Sequence, residues 1–207
     1  MAQPTTKKQR QGEDSRELIL DSTERLMGTR GYAATSISDI CKACGLPASS
    51  IYWHFGSKDG VLAAVMERGA ARFFAAIPRH DESADTGIQP QFDATARLLA
   101  QHPDFLRLFF ILSLERHDDP AVERIVRRVR DTAIDGWRNA ISTLMPADTP
   151  SAKAEDVIAE LTALAVAVSD GVFIADHLEP DSTDVERMYR RLLQAVSALL
   201  PILLEES

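Results

Sequence analysis

Between Thr35 and Lys58 the chain gathers side chains suited to a polyanion. Tyr52, His54 and Lys58 can each donate a hydrogen bond to a phosphate oxygen. Ala48, Ser49 and Ser50 are small enough to let a backbone enter a major groove, Trp53 adds a broad apolar surface, and this face carries no acid. A face of these residue types can approach nucleic acid and lacks the makings of a catalytic centre.

The neighbouring residues supply the elements that would position such a face. Thr35 or Ser36 can cap a helix whose apolar positions Ile37, Ile40, Cys41 and Cys44 recur at three- and four-residue steps. Gly45 lies where a left-handed C′ residue ends that helix, and Pro47 suits the first turn of the next. The second helix, about 47–55, has Ile51 and Phe55 as its inward stripe and is too short to stand without packing. The pattern predicts a helix-turn-helix.

Arg16, Ile19, Leu20, Gly31-Tyr32, Thr35-Ser36-Ile37, Ile40, Ala43, Gly45-Leu46, Ile51-Tyr52-Trp53-His54-Phe55, Ser57-Lys58 and Leu62 together resemble the DNA-binding domain of TetR-type transcriptional regulators, from about Glu13 to Met66. That resemblance implies phosphate contacts from Thr35, Tyr52, His54 and Lys58 and places Ser49, Ser50 and Trp53 nearest the bases. Ser36, Pro47 and Ala48 complete the expected DNA-binding set. Three positions depart from the pattern: Pro47 replaces a hydroxyl residue, Ser49 stands where glycine is common, and Gly60 stands where a glutamate would complete a capping box from Ser57.

Other chemistry finds little support. Cys41 and Cys44 form a C-x2-C pair without a second pair, so a zinc site lacks ligands, and both suit packing on the inner side of their helix. The five histidines have no metal-ligand spacing, and there is no Gly-rich phosphate loop, nucleophile elbow or paired-carboxylate signature. The expectation is a protein without metal or cofactor and without enzymatic activity.

A net charge of −8 would argue against nucleic acid if it were spread evenly. It is not: residues 1–60 hold 8 basic and 7 acidic residues, so all the excess acid lies beyond the motif. Residues 1–12 read as a flexible basic tail carrying Lys7, Lys8 and Arg10, solvated or serving as an arm on DNA. The start of the chain lacks the apolar core of a signal peptide, and the longest apolar run, 161–175, is shorter than a bilayer span of about 20 residues. A cytoplasmic protein with no membrane partner is expected.

The rest of the 207 residues reads as helix, giving an all-α fold. A first helix should run from Asp14 or Ser15 to about Arg30, and a helix at about 57–77 should link a head (13–60) to a helical ligand-binding and dimerisation domain (61–207). Further helices are expected at 91–101, 104–116, 120–145, 154–178 and 183–204. The last two are apolar nearly all round, which predicts a homodimer paired through Leu161, Leu164, Val168, Val172, Leu192, Val196 and Leu199. Phe105, Phe109, Leu112, Trp137, Ile141 and Phe173, with Asp170 and His177 and also Glu115 and His117 as polar anchors, are either core or the lining of a ligand pocket. The family resemblance implies the pocket. The favoured reading is a dimeric repressor that binds a palindromic operator in double-stranded DNA and is released by a small hydrophobic effector. The alternative is a DNA-binding regulator without a small-molecule inducer.

Overall fold

The computed structural model describes residues 7–78, 88–114 and 120–206. Among these residues all regular structure is helical: α1 Lys7–Arg30, α2 Ile37–Cys44, α3 Ala48–Phe55, α4 Lys58–Ala75, α5 Gln89–Gln101, α6 Pro103–Leu114, α7 Pro120–Ser142, α8 Ser151–Leu178 and α9 Val185–Glu205. The fold is all-α, and each helix expected from the sequence is present. The largest difference is at the start. α1 begins at Lys7 rather than Asp14, so residues 7–12 extend the helix instead of forming a tail, while residues 1–6 lie outside the described part. Glu115, His117 and residues 79–87, between the helices expected at about 57–77 and 91–101, lie outside it too.

The chain divides into two compact units, and the divisions at Arg72/Phe73 and Val129/Arg130 fall inside α4 and α7. The first unit holds α1, α2, α3, α4 to Arg72, α6 and the start of α7. α6 therefore groups with the helix-turn-helix, whereas the sequence reading assigned everything after residue 60 to the other domain. α1 is the organising element, packing against α2, α3 and α6. Ile19, Leu20 and Met27 of α1, Ile40 of α2, Ile51 of α3 and Val61, Leu62, Val65 and Met66 of α4 are all completely buried. Arg68 of α4, with only 9% of its side chain exposed, reaches three carboxylates of α1: Glu17 at 2.9 Å, Asp21 at 2.7 Å and Glu24 at 2.6 Å. Burial pulls its pKa down, but the bonds to Glu24 and Glu17 outweigh this and raise it, so the clamp stays charged.

The second unit holds the end of α4, α5, the rest of α7, α8 and α9. α9 packs against both α8 and α5. Leu161, Val172, Leu192 and Val196 are between 0% and 3% exposed, so the chain's own packing covers them. This corrects their assignment to an interface between copies; Leu164, Val168 and Leu199 are only half-buried. The full length of α8 also corrects the short-run estimate. At 28 residues it is long and apolar enough to cross a membrane by length and composition, with 44% of its most apolar window buried inside the chain.

Candidate nucleic-acid interface

Ser36 caps α2: it has extended backbone and accepts a hydrogen bond from Asp39 N–H at 3.1 Å, while the Asp39 carboxylate accepts from Ser36 N–H at 3.0 Å. The Ser36 hydroxyl, which also donates to this carboxylate, and then the Ser36 N–H hold the Asp39 carboxyl below its ordinary pKa. The helix ends on Gly45 at φ 69°, a left-handed conformation costly for any residue with a Cβ, and Gly45 N–H donates to Cys41 O at 2.9 Å. Cys41 and Cys44 are free thiols, Cys44 buried and Cys41 half-buried. Pro47 occupies the N-cap of α3 without a side-chain cap bond, and Ser50 N–H donates to its carbonyl at 3.0 Å.

With Ile51 buried beneath it, α3 presents its other side to solvent. Trp53 is 77% exposed and Tyr52 52%, the largest apolar exposures in the first unit after Leu114. Pro47 and Ser49 are exposed, Ala48 and Ser50 half-buried. His54 is half-buried between Trp53, whose ring meets it edge-on at 4.5 Å, and Phe55 at 5.7 Å. Burial, assisted by the Arg16 charge, lowers its pKa and favours the neutral imidazole. Arg16 reaches over the Phe55 ring at 5.5 Å.

Thr35 differs from its expected role. It is 1% exposed and its hydroxyl donates to Gly31 O at 2.8 Å, so its side chain braces the turn rather than facing a phosphate. Gly60 is explained by a close approach. A Cβ there would stand 2.0 Å from Phe55 O, so no side chain fits where α4 leaves the end of α3. Gly60 N–H instead donates to Ser57 Oγ at 3.0 Å, leaving Ser57 a single-sided cap. Sequence reasoning missed the fixation of Lys58. Its ammonium lies 4.1 Å from the centre of the Tyr32 ring, and the Tyr32 hydroxyl donates to the next residue, Asp59. Partial burial lowers the Lys58 pKa, with Asp59 pulling the other way.

Residues 19–65 match the family model described as bacterial regulatory proteins, tetR family. The likeness to the tetR family is thus to its DNA-binding domain, over the helix-turn-helix and the helices beside it. The regulator AcrR of Shigella flexneri is 34% identical over 61 residues, covering 30% of this chain and 28% of AcrR. The repressor ComR of Escherichia coli is 38% identical over 60 residues, 29% of either chain. The chain thus spans under a third of the length of these two curated relatives. Over most of the chain the likeness is one of fold: the SmeT–triclosan complex superposes with a TM-score of 0.68 over 89% of this chain and 90% of that one at 21% identity. SmeT is the repressor of a Stenotrophomonas maltophilia multidrug efflux pump. These similar proteins are transcriptional regulators.

The residues expected to line a pocket fall in both units. Phe105, Phe109 and Leu112 lie in the first, 1% to 7% exposed. Phe105 has a packing duty there: a Cβ on Gly69 would stand 2.2 Å from its ring, so the missing side chain lets α6 close on α4. Trp137, Ile141, Asp170, Phe173 and His177 lie in the second unit. Trp137 stacks on Tyr189 at 6.3 Å and receives Phe92 edge-on at 4.9 Å. The buried Tyr189 hydroxyl bonds to Ser169 and, through burial, has its pKa raised. Asp170 meets Arg130 of α7 at 2.8 Å, which supplies the partner that a carboxylate on so apolar a helix requires. Phe173 and His177 stack at 6.4 Å, and Ile141 is fully buried. Phe92, Tyr189 and Arg130 were not singled out in the sequence; Tyr189, a lone aromatic on the inner stripe of an amphipathic helix, was the one visible signal.

Proposed function

We propose that the chain is a dimeric, sequence-specific DNA-binding repressor that a small hydrophobic molecule releases from a palindromic operator. The observation that carries the DNA-binding part is the exposure of Tyr52 and Trp53 on α3, beside Ser49, Lys58 and the half-buried His54, while Ile51 fixes the helix from beneath. Large aromatics are left in solvent at a cost, and on a helix with small polar neighbours that arrangement suits base edges and phosphates. The near-neutral charge of residues 1–60 implies modest nonspecific affinity that falls steeply with salt.

Dimerisation is supported by the apolar stripes that the chain leaves open. Ala163, Ala167, Gly171, Ile174 and Leu178 run along α8, and Met188, Ala195 and Ile202 along α9, all exposed. A two-fold dimer through them would carry two heads to the half-sites of a palindrome. The effector part draws on the SmeT complex with triclosan as a precedent of fold only. The reading without an inducer draws on the second unit, where Phe92, Trp137 and Tyr189 pack against one another and Arg130 neutralises Asp170.

Titration against DNA flanking the chain's own gene at two salt concentrations, beside a Tyr52→Ala/Lys58→Ala variant, tests the proposal. Competitor-resistant binding lost in the variant supports it, and ligand-dependent shifts in melting then separate the two readings. Equal binding by the variant would remove α3 as the reading element.

A further inference from the structure

We propose that Tyr32 is a positioning residue for the DNA interface: its ring holds the Lys58 ammonium in place and its hydroxyl ties back Asp59, so that Lys58 meets a phosphate as an ordered cation. The inference rests on the DNA-binding reading above and adds to it a residue outside the reading helix. Tyr32 lies in the turn directly after α1, next to Gly31 at φ 81°, and Lys58 and Asp59 open α4. The turn therefore touches the start of α4 twice through one side chain, by the 4.1 Å cation–ring contact and by the bond to the Asp59 carboxylate.

Each contact has a separate effect on a phosphate contact. Lysine has a long flexible stem, and a stem already ordered over a ring loses less freedom when its ammonium docks. The ring attracts the cation through its negative face without neutralising it, so the full charge remains for the phosphate. Asp59 is the nearest acid in sequence and would repel the same phosphate. The Tyr32 hydroxyl and the positive end of α4 both hold its carboxylate at the first turn. A leucine could fill the half-buried space of Tyr32, but it has neither the face nor the hydroxyl.

The test uses the full chain and two probes, a duplex selected by the wild type from a random-sequence pool and a mixed-sequence duplex. Affinities are measured over a range of salt for the wild type, Tyr32→Phe, Tyr32→Leu, Lys58→Ala and the Tyr32→Leu/Lys58→Ala double variant. Loss of one phosphate contact should lower the magnitude of the salt slope by about 0.9 in Lys58→Ala. Tyr32→Leu should weaken binding roughly two- to fivefold and lower the slope toward that of Lys58→Ala, which then adds little in the double variant. Tyr32→Phe, keeping the ring, should retain the wild-type slope. An unchanged slope in Tyr32→Leu, or fully additive losses in the double variant, would overturn the proposal and leave Tyr32 a packing residue. If Tyr32→Leu does not fold, Tyr32→pentafluorophenylalanine keeps the shape while reversing the face of the ring, and an unchanged slope there is equally fatal. A wild type that binds while Lys58→Ala keeps its slope would overturn the inference with the DNA-binding reading intact; a wild type that binds neither probe removes both.

Discussion

The helices of the reading head and those of the second unit solve opposite problems. α2 and α3 have eight residues each, too few to persist alone, and both are fixed at their ends and from beneath: the Ser36–Asp39 box, the left-handed Gly45, Ile40 and Ile51. α8 and α9, with 28 and 21 residues, have length in their favour, and α9 is also capped by Asp184, which accepts from Arg187 N–H at 2.9 Å. Their uncertainty lies in what covers each side, and the answer comes from residues far off in sequence, such as Arg130 for Asp170 and Tyr189 for Ser169. Short elements are positioned by caps and turns, long ones by partners.

The largest effect that would break this comparison is expected where a remote partner holds the head. Phe105→Ala removes a ring that is 1% exposed and seated against Gly69, and should lower unfolding free energy by about 3–5 kcal/mol in a denaturant titration. A loss below about 1 kcal/mol would mean that Phe105 faces a cavity, returning it to the pocket set.

Gly60→Ala comes next. Its Cβ would need the space of Phe55 O, 2.0 Å away, so the end of α3 and the start of α4 must move apart. Overpacking of this kind costs about 1–3 kcal/mol, and the displaced recognition helix should weaken operator binding by at least roughly tenfold. Wild-type affinity in Gly60→Ala would show that the junction does not set the reading geometry. Ser36→Ala is a smaller change at a purely local device: about 1 kcal/mol in stability by thermal melting, from loss of the bond from Asp39 N–H. If Ser36→Ala proved as damaging as Phe105→Ala, the distinction between local and remote fixation would collapse.

The same distinction explains what could be read from the sequence. Ser36, Gly45 and Pro47 act on neighbours within a turn, so their types and spacing located α2 and α3 to within a residue. The periodicity of α4 to α9 gave their spans, but not the grouping of α6 with the head, which depends on α6 packing against α1, where Gly28 lies against the Asp104 backbone, and on Gly69 meeting Phe105. Nor could periodicity tell an inner stripe from an interface. Leu161 and Val196 are covered within the chain, whereas the less hydrophobic Ala163, Ala167 and Gly171 lie open. At the candidate site, the outward face of α3 was legible because Ile51 and Phe55 defined its inside. The buried hydroxyl of Thr35 and the hold of Tyr32 on Lys58 were not, since each depends on where a turn folds back.

The smallest expected effect is a pH dependence from His54. Burial against Trp53 and Phe55, with Arg16 nearby, places its pKa below the ordinary value of 6.5, so the head carries a neutral imidazole at neutral pH. The unfolded chain then binds this proton more readily than the folded one. The contribution of His54 to stability is complete above its ordinary pKa and declines as the pH falls through that value toward the folded pKa. A phosphate brought beside the ring acts in the opposite sense, raising the pKa, so the complex should take up a proton that the unbound head lacks. Operator affinity should accordingly rise between about pH 8 and about pH 6 at constant ionic strength, by no more than the factor one proton allows. His54→Gln keeps a donor but cannot titrate and should flatten that part of the profile. Coincident pH profiles for the two proteins would mean that the imidazole stays neutral on DNA, and that its place between Trp53 and Phe55 serves packing rather than charge.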